Sequence, residues 1–192
     1  MRGIFIYMIE KWELIESNID RDYRVFRIKS ELAVSPRTSK AGKFYTIDTK
    51  DWVNIIPITE KNEVVMIKQY RHGSKEITLE IPGGLVDEED HQKAALRELL
   101  EETGCVGEKV ELIGSVNPNP AIFNNCCHTY LVRNVKKFAE MKLDPDEDIE
   151  VMHVPIQEIP LLIRKGIINH ALVVVAFHFY FTKNPEIIYG EK

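Results

Sequence analysis

Apolar and polar residues alternate along the first eighty residues in the way that β-strands require. β-Branched and aromatic residues are concentrated in short runs, and polar turns separate the runs. The predicted strands of this part are Trp12–Glu16, Tyr23–Val34, Gly42–Thr49, Trp52–Ile58, Glu63–Tyr70 and Ile77–Ile81. Pro82-Gly83-Gly84 follows them and predicts a turn.

A helical period begins at residue 90. Asp90–Thr103 has an apolar side, and Gly104 stands where a helix C-terminus is expected. The remaining predicted elements are strands at Val110–Val116, Thr129–Val135 and Glu150–Pro155, an acidic loop at 141–150, and helices at Ile156–Lys165 and His170–Thr182. The triplet Val173-Val174-Val175 leaves a strand as an alternative for the last element.

This order of elements predicts an α+β fold with an N-terminal β appendage. We expect residues 1–50 to form the N-terminal β-strand segment and residues 51–192 to form the main domain. No apolar run is long enough to span a membrane, and the opening Met1–Met8 is too short for a secretion signal. Either Met1 or Met8 could be the start of the chain.

Composition and charge limit the classes of partner. The net charge of −5 argues against nucleic acid and anionic membranes, although a small anion could still bind a local basic pocket. Three cysteines give no paired framework, which predicts a cytoplasmic protein. We expect Cys126 and Cys127 to be buried thiols, because a metal site there would need more Cys or His ligands than His128.

The chemistry of the chain is concentrated in the predicted helix at Asp90–Thr103. Glu98, Glu101 and Glu102 have i, i+3 and i+4 spacing, so they share one helical face. Like charges at this spacing repel by roughly a few tenths of a kcal/mol per pair. A face of this kind suggests a bound cation, and Mg²⁺ prefers oxygen ligands together with substrate phosphates. The spacing therefore predicts metal-assisted phosphate chemistry.

The stretch from Gly83 to Cys105 resembles the Nudix box, the signature of the Nudix hydrolases. The pattern is Gly, five residues, Glu, seven residues, then Arg-Glu-apolar-x-Glu-Glu-x-Gly-apolar. The matching positions are Gly83, Glu89, Arg97, Glu98, Leu99, Glu101, Glu102 and Gly104. The resemblance implies a Nudix-type α/β/α sandwich with a mixed β-sheet and an N-terminal antiparallel appendage that dimerises.

Residues outside the box resemble the branch of ADP-ribose pyrophosphatases and nucleoside diphosphate sugar hydrolases. These are Arg71 and Glu80 upstream, Pro120 sixteen residues after Gly104, and the acidic loop that begins at Asp144. The resemblance implies a homodimer that acts on a small nucleotide sugar. It also implies that Arg71, Glu80 and Pro120 bind the substrate.

The resemblance further implies a set of metal ligands and bracing residues. Glu98 and Glu102 would be the principal Mg²⁺ ligands, with Mn²⁺ as a substitute, and Glu101 would share a second ion or hold water. The carbonyl of Gly83 or of Pro82 would reach the metal, and we predict Gly83. Two further predictions concern the motif itself: Glu89 and Arg97 would brace the loop and helix through an ion pair, and Gly104 would end the helix.

A general base must take a proton from the attacking water. In relatives it comes from the acidic loop after the box, and Pro145 occupies the corresponding position here. We predict Glu147 as the base, with Asp146 and Asp148 as alternatives. The predicted catalytic residues are Glu147, Glu98 and Glu101.

The predicted function is Mg²⁺-dependent hydrolysis of ADP-ribose or another nucleoside diphosphate sugar to a nucleoside monophosphate and a sugar phosphate. Two alternatives stay open. One is a non-catalytic nucleotide-sugar sensor, against which the retained box carboxylates count. The other is a hydrolase of oxidised nucleoside triphosphates, against which Pro120 and the long N-terminal β segment count.

Overall fold

A computed structural model describes residues 9–87, 90–185 and 187 of the chain. Packing divides these residues into two compact units, one of 9–49 with 119–125 and the other of 50–118 with the residues from 126 onward. The opening Met1–Met8 and the motif residue Glu89 lie outside the described residues.

The first unit is a three-stranded antiparallel sheet in the order β1-β2-β3. Its strands are β1 (Glu13–Asp22), β2 (Phe26–Val34) and β3 (Ala41–Thr49). The sheet agrees with the antiparallel appendage expected from the sequence, but β1 continues to Asp22, well past the predicted end at Glu16. The segment 119–125 joins this unit, where Ile47 donates a backbone hydrogen bond to Ile122.

The second unit is built on a seven-stranded mixed sheet. Its central path runs β12-β5-β4-β10-β9, with β6 paired to β5 and β7 paired to β4. Only the β4–β10 pair is parallel among the paired strands of this sheet in the described chain. The strands are β4 (Trp52–Ile58), β5 (Glu63–Arg71), β6 (Glu76–Glu80), β7 (Gly83–Leu85), β9 (Lys109–Val116), β10 (Cys127–Arg133) and β12 (Ile149–Pro155).

Three helices and a small ladder complete the second unit. They are α1 (His91–Thr103), α2 (Ile159–Arg164) after a 3-10 turn at Ile156–Glu158, α3 (Ala171–Lys183), and the pair β8 (Cys105–Val106) with β11 (Lys136–Lys137). The helix prediction for the last element is confirmed and its strand alternative is wrong. Within the described residues, no helix combines the length and the apolar character that a membrane crossing requires.

The sheet of the second unit has an apolar core on each face. Val53 and Ile55 of β4 pack with Leu99 of α1, and Ile56 of β4 packs with Phe177 of α3. This split follows from the period of two in a strand, because successive side chains point to opposite faces. The α/β/α arrangement predicted from the sequence is therefore confirmed.

Helix α1 is defined by caps at both ends. The Asp90 side chain accepts a hydrogen bond from the Lys93 amide at 2.9 Å. Gly104 follows the helix with φ 68°, and its amide donates to the Leu100 carbonyl. The start and the stop predicted from the sequence are those observed.

The predicted turn at Pro82-Gly83-Gly84 is wrong in part. Gly83 and Gly84 belong to β7 and pair with Asn54 and Val53 of β4. Glycine has low strand propensity, so sequence patterns do not predict a strand here. Groups of neighbouring elements approach the backbone of Gly83 and Gly84 closely, and this explains why glycine is used at both positions.

Replacing Gly104 with alanine should destabilise the second unit more than the same change at Gly166. Both glycines have positive φ, 68° and 71°, so alanine costs about 1–2 kcal/mol at either site. At Gly104 the new Cβ would also overlap the Ala139 carbonyl, whereas at Gly166 no atom of the described residues lies within 4 Å of it. We expect Gly104→Ala to lose about 1–3 kcal/mol more in the free energy of unfolding, measured by chemical denaturation. Equal losses for the two variants would contradict the packing described here.

Candidate active site

Two carboxylates of α1 are turned inward and one is turned outward. Glu102 is buried, with only 3% of its surface exposed, and the Glu98 side chain is mostly buried. The Glu101 side chain is 37% exposed. The one-turn spacing of Glu98 and Glu102 therefore places both inner carboxylates on the side of α1 that packs on the sheet.

The inner carboxylates lie against the backbone of β7. The Gly83 amide donates a hydrogen bond to Glu102 Oε2 at 2.9 Å. A Cβ on Gly84 would overlap the Glu98 carboxylate, so a side chain at this position would displace it. The approach of an α1 carboxylate to bare backbone thus explains Gly84, whereas a Cβ on Gly83 would overlap the Val53 carbonyl of β4.

The pairing of β7 with β4 also distinguishes two backbone carbonyls. The Pro82 carbonyl accepts a hydrogen bond from the Ile55 amide at 2.8 Å. Gly83 is opposite Asn54, one position along, and in an antiparallel ladder such alternate pairs direct their N–H and C=O groups away from the partner strand. The bond from the Gly83 amide to Glu102 agrees with this orientation. The geometry therefore favours the Gly83 carbonyl as the one available to a ligand.

Burial makes both inner carboxylates weak acids. Burial raises the pKa of Glu102 to about 8, with further increases from the charges of Glu98 and Glu147, while the Gly83 amide acts in the opposite direction. Burial likewise raises the pKa of Glu98 to about 7, against the lowering effect of Arg97. The fold thus concentrates carboxylate oxygens where a positive charge would stabilise their ionised form.

Arg97 connects the helix to β7. Its Nη1 donates to Glu98 Oε1 at 3.0 Å and to Glu101 Oε2 at 2.9 Å. Its Nη2 donates to the Leu85 carbonyl at 3.2 Å. Arg97 therefore links the Glu98 side chain to the β7 backbone. This is a bracing role of the kind predicted from the sequence. The predicted ion pair with Glu89 falls on a residue outside the described part of the chain.

Arg71 and Glu80 form a bidentate ion pair between β5 and β6. Arg71 Nε and Nη2 each donate to a Glu80 oxygen at 2.7 Å, and the Thr78 hydroxyl donates to Glu80 Oε1 at 2.6 Å. Burial alone would raise the pKa of Glu80, but these bonds hold it below its usual range. The bond with Glu80 raises the pKa of Arg71 in turn. The sequence predicted substrate contacts for both residues, and the pairing between them was missed.

His170 lies beside this ion pair and was not predicted to be part of the site. In the sequence it is the first residue of the predicted apolar helix His170–Thr182. Its Nδ1 is buried and makes no hydrogen bond within the described part of the chain. Burial lowers the pKa of His170 against the attraction of the Glu80 charge. Only the folded arrangement brings it to Glu80, so no sequence signal could have identified it.

Glu147 is carried by a loop that is fixed at both ends. The Lys142 amide donates to the Glu101 carbonyl at 2.8 Å, and Ile149 opens β12 opposite Gln69 of β5. Within the loop, the Asp144 amide donates to Glu147 Oε2 at 3.0 Å. The charge of Glu147 contributes to the raised pKa values of Glu98 and Glu102, so it lies within electrostatic range of them.

The remaining predicted residues lie elsewhere. Gly104 ends α1, as described above. Pro120 is on the segment 119–125, which belongs to the first unit, so its predicted contact with substrate stays a prediction. The residues that the second unit brings together are those of α1, β7 and the Arg71–Glu80 pair with His170.

These groups match the preferences of a hard divalent cation. Two carboxylates and a backbone carbonyl are oxygen donors, the type that Mg²⁺ and Mn²⁺ take in proteins. A dication would also offset the carboxylate charge that burial disfavours. The donor set at this site therefore fits a divalent metal ion.

Comparisons with known proteins agree with this site. Residues 49–175 match the NUDIX domain family. The ADP-ribose pyrophosphatase of Bacillus subtilis is 28% identical over 142 residues, 73% of this chain and 77% of that protein. The methanol dehydrogenase activator of Bacillus methanolicus is 33% identical over 129 residues, 66% of this chain and 70% of that protein.

A solved structure of an ADP compounds hydrolase has the same fold. It superposes with a TM-score of 0.81 and covers 94% of this chain and 96% of that chain, at 18% identity. The family match includes the α1 carboxylates, β7 and the loop that carries Glu147. Together with the geometry of these groups, it establishes that the chain belongs to the Nudix hydrolase family.

Proposed function

We propose that this protein is a Mg²⁺-dependent pyrophosphohydrolase of ADP-ribose or a similar nucleoside diphosphate sugar. The products would be a nucleoside monophosphate and a sugar phosphate. The observation that carries the proposal is the buried pair Glu98 and Glu102 against the bare backbone of Gly83 and Gly84. The name of the Bacillus subtilis relative, an ADP-ribose pyrophosphatase, supports the choice of substrate.

Glu98, Glu102 and the Gly83 carbonyl would hold the ion. When bound, Mg²⁺ offsets phosphate charge and increases the acidity of water at the site. Arg97 keeps Glu98 oriented through its bond to Oε1. Gly84 has no side chain, so it leaves the space that the Glu98 carboxylate occupies. The pairing of Glu101 with Arg97 suggests a supporting role for Glu101, and a share in a second ion stays a prediction.

Two other groups would act on the substrate and on water. Glu147 would accept the proton of the attacking water, because its loop is anchored to α1 and β5 and its charge reaches Glu98 and Glu102. Arg71 would contact a phosphate. A guanidinium has five N–H donors, and the bonds to Glu80 use only Nε and one proton of Nη2. The homodimer and the cytoplasmic location stay predictions.

Replacing Glu102 with glutamine should abolish hydrolysis of ADP-ribose in Mg²⁺ buffer. The variant keeps the size of the side chain but loses a charged metal ligand, so kcat should fall by at least about 100-fold. Product formation can be followed with a coupled phosphatase, and EDTA should have the same effect on the natural chain. Glu108→Gln changes an exposed glutamate of the same unit and should keep full activity. Activity that survives in both Glu102→Gln and EDTA would overturn the metal assignment.

Replacing Glu147 with glutamine should lower kcat with little change in KM. Loss of a general base costs about 10²–10⁴-fold in rate, and Glu147 makes no described contact that would hold the substrate. Asp146→Asn and Asp148→Asn, in the same loop, serve as matched controls and should retain most of the activity. An unchanged rate in Glu147→Gln together with a large loss in either control would move the base to that residue.

Replacing Arg71 with alanine should destabilise the second unit by about 3 kcal/mol, because it leaves a buried carboxylate without its partner. Glu80 is 2% exposed and would keep only the Thr78 hydroxyl among its described side-chain partners. The double variant Arg71→Ala/Glu80→Gln should recover more than half of that loss in chemical denaturation. A loss below about 1 kcal/mol in the single variant, or no recovery in the double, would show that the pair does not stabilise the fold.

A further inference from the structure

A hydrogen-bonded series of a serine, a histidine and a carboxylate lies outside the site described above. Ser115 of β9 and His128 of β10 are directly opposite each other in the antiparallel pair of strands. Ser115 Oγ lies 2.8 Å from His128 Nδ1, and His128 Nε2 lies 3.3 Å from Oδ2 of Asp51, the residue before β4. All three residues belong to the second unit. The fold therefore connects a hydroxyl, an imidazole and a carboxylate from three separate strands.

Asp51 determines which ring nitrogen of His128 acts as a base. Burial raises the pKa of Asp51, but the bonds from the Cys126 amide and from His128 hold it below its usual range, so the carboxylate is ionised at neutral pH. An ionised carboxylate only accepts hydrogen bonds, so a neutral His128 ring bonds to it by carrying its proton on Nε2. Nδ1 then has the lone pair, and the Ser115 hydroxyl donates to it. A base that contacts a hydroxyl and is itself oriented by a third group is the arrangement that activates a serine nucleophile.

Neighbouring groups hold the His128 ring in this orientation. The Cys126 amide donates to Asp51 Oδ1 at 2.8 Å, which leaves Oδ2 to face the ring. His91, the first residue of α1, stacks on the ring with centroids 4.0 Å apart and an interplanar angle of 20°. The 3.3 Å between His128 and Asp51 is long for a catalytic hydrogen bond, and such bonds commonly tighten when a substrate binds.

Ser115 is accessible to a ligand, and its base is largely covered. β9 is the last strand of the sheet, and Ser115 is exposed there, whereas the His128 side chain is only 15% exposed. An incoming molecule would therefore meet the hydroxyl first. An open sheet edge gives little stabilisation to an oxyanion that develops during attack. Activated esters with good leaving groups therefore suit this position better than amides do.

We propose that Ser115, His128 and Asp51 form a second, nucleophilic site that hydrolyses small activated carboxylic esters. Ser115 Oγ attacks the ester carbonyl carbon while its proton moves to His128 Nδ1, and the alcohol leaves with that proton. A water molecule then attacks the acyl-serine and gives its proton to Nδ1, the acid is released, and Ser115 regains the proton. Glu98 is seven residues after His91 on α1, a rise of about 10 Å, so this site is separate from the box carboxylates.

Labelling of the full-length chain with a fluorophosphonate reagent tests the site. Ser115 Oγ displaces the fluoride and keeps the phosphonyl group, so mass spectrometry should find one label, on Ser115. His128→Gln should be labelled at least about 100-fold more slowly. Asp51→Asn should be labelled at least about 10-fold more slowly, because an amide that donates to Nε2 stabilises the wrong tautomer of the ring. The natural chain should react more slowly in acid, since a protonated imidazole cannot accept the Ser115 proton.

Matched variants separate this site from the rest of the chain. Ser17→Ala changes an exposed serine that bonds to a carboxylate, and His153→Gln changes a half-exposed histidine beside a single glutamate. Both variants should be labelled at the natural rate, and so should Glu102→Gln. Ser115→Ala should lose the label and the hydrolysis of p-nitrophenyl acetate that depends on it, but should keep full activity on ADP-ribose.

Several results would overturn the proposal. These are no labelling of the natural chain, a label on another residue, or an unchanged rate in a His128→Gln variant that circular dichroism shows to be folded. Asp51→Asn keeps the Oδ1 acceptor for the Cys126 amide, so it should fold and test the same base if His128→Gln does not. The labelling does not depend on hydrolysis of a diphosphate, so failure of the proposed function would not affect it.

Discussion

The candidate site of the second unit depends on holding two carboxylates out of water. Removing an ionised carboxylate from water costs several kcal/mol unless hydrogen bonds or opposite charges compensate. Glu102 receives a backbone bond from Gly83, and Glu98 receives one from Arg97. The raised pKa values of both residues show that these bonds do not compensate fully. A divalent cation would therefore stabilise the two buried carboxylates, and the surrounding elements hold them in position.

Each neighbouring element contributes to that position in a different way. Leu99 of α1 is buried in the core with residues of β4, and this packing places Glu98 and Glu102 on the same, sheet-facing side of the helix. β7 presents bare backbone to the carboxylates, because Gly84 has no side chain to displace Glu98 and the Gly83 amide donates to Glu102. Gly104 ends the helix in a left-handed conformation two residues after Glu102. The position of the inner carboxylates and the end of the helix are thus set by neighbouring residues.

The sequence predicted those features that depend on local periodicity and missed those that depend on tertiary contacts. The limits of β4 were predicted correctly, and the limits of α1 were predicted to within one residue, because the predicted first residue Asp90 is its N-cap. The β7 strand was missed, because two glycines have no strand propensity and pair only when β4 is beside them. The Arg71–Glu80 pair was missed for a similar reason. Its members lie 9 positions apart in the chain on two neighbouring strands, and no spacing rule connects them.

The distribution of positive charge in the site supports the proposal that a metal ion helps to bind an anionic substrate. Both arginines are already bonded to glutamates: Arg97 to Glu98 and Glu101, and Arg71 to Glu80. The carboxylates around them outnumber the arginines, so without a cation the site would repel a diphosphate. A bound dication would neutralise the two inner carboxylates. Arg71 would then need only to orient one phosphate through its remaining donors, since its bidentate bond to Glu80 fixes the guanidinium plane before a substrate arrives.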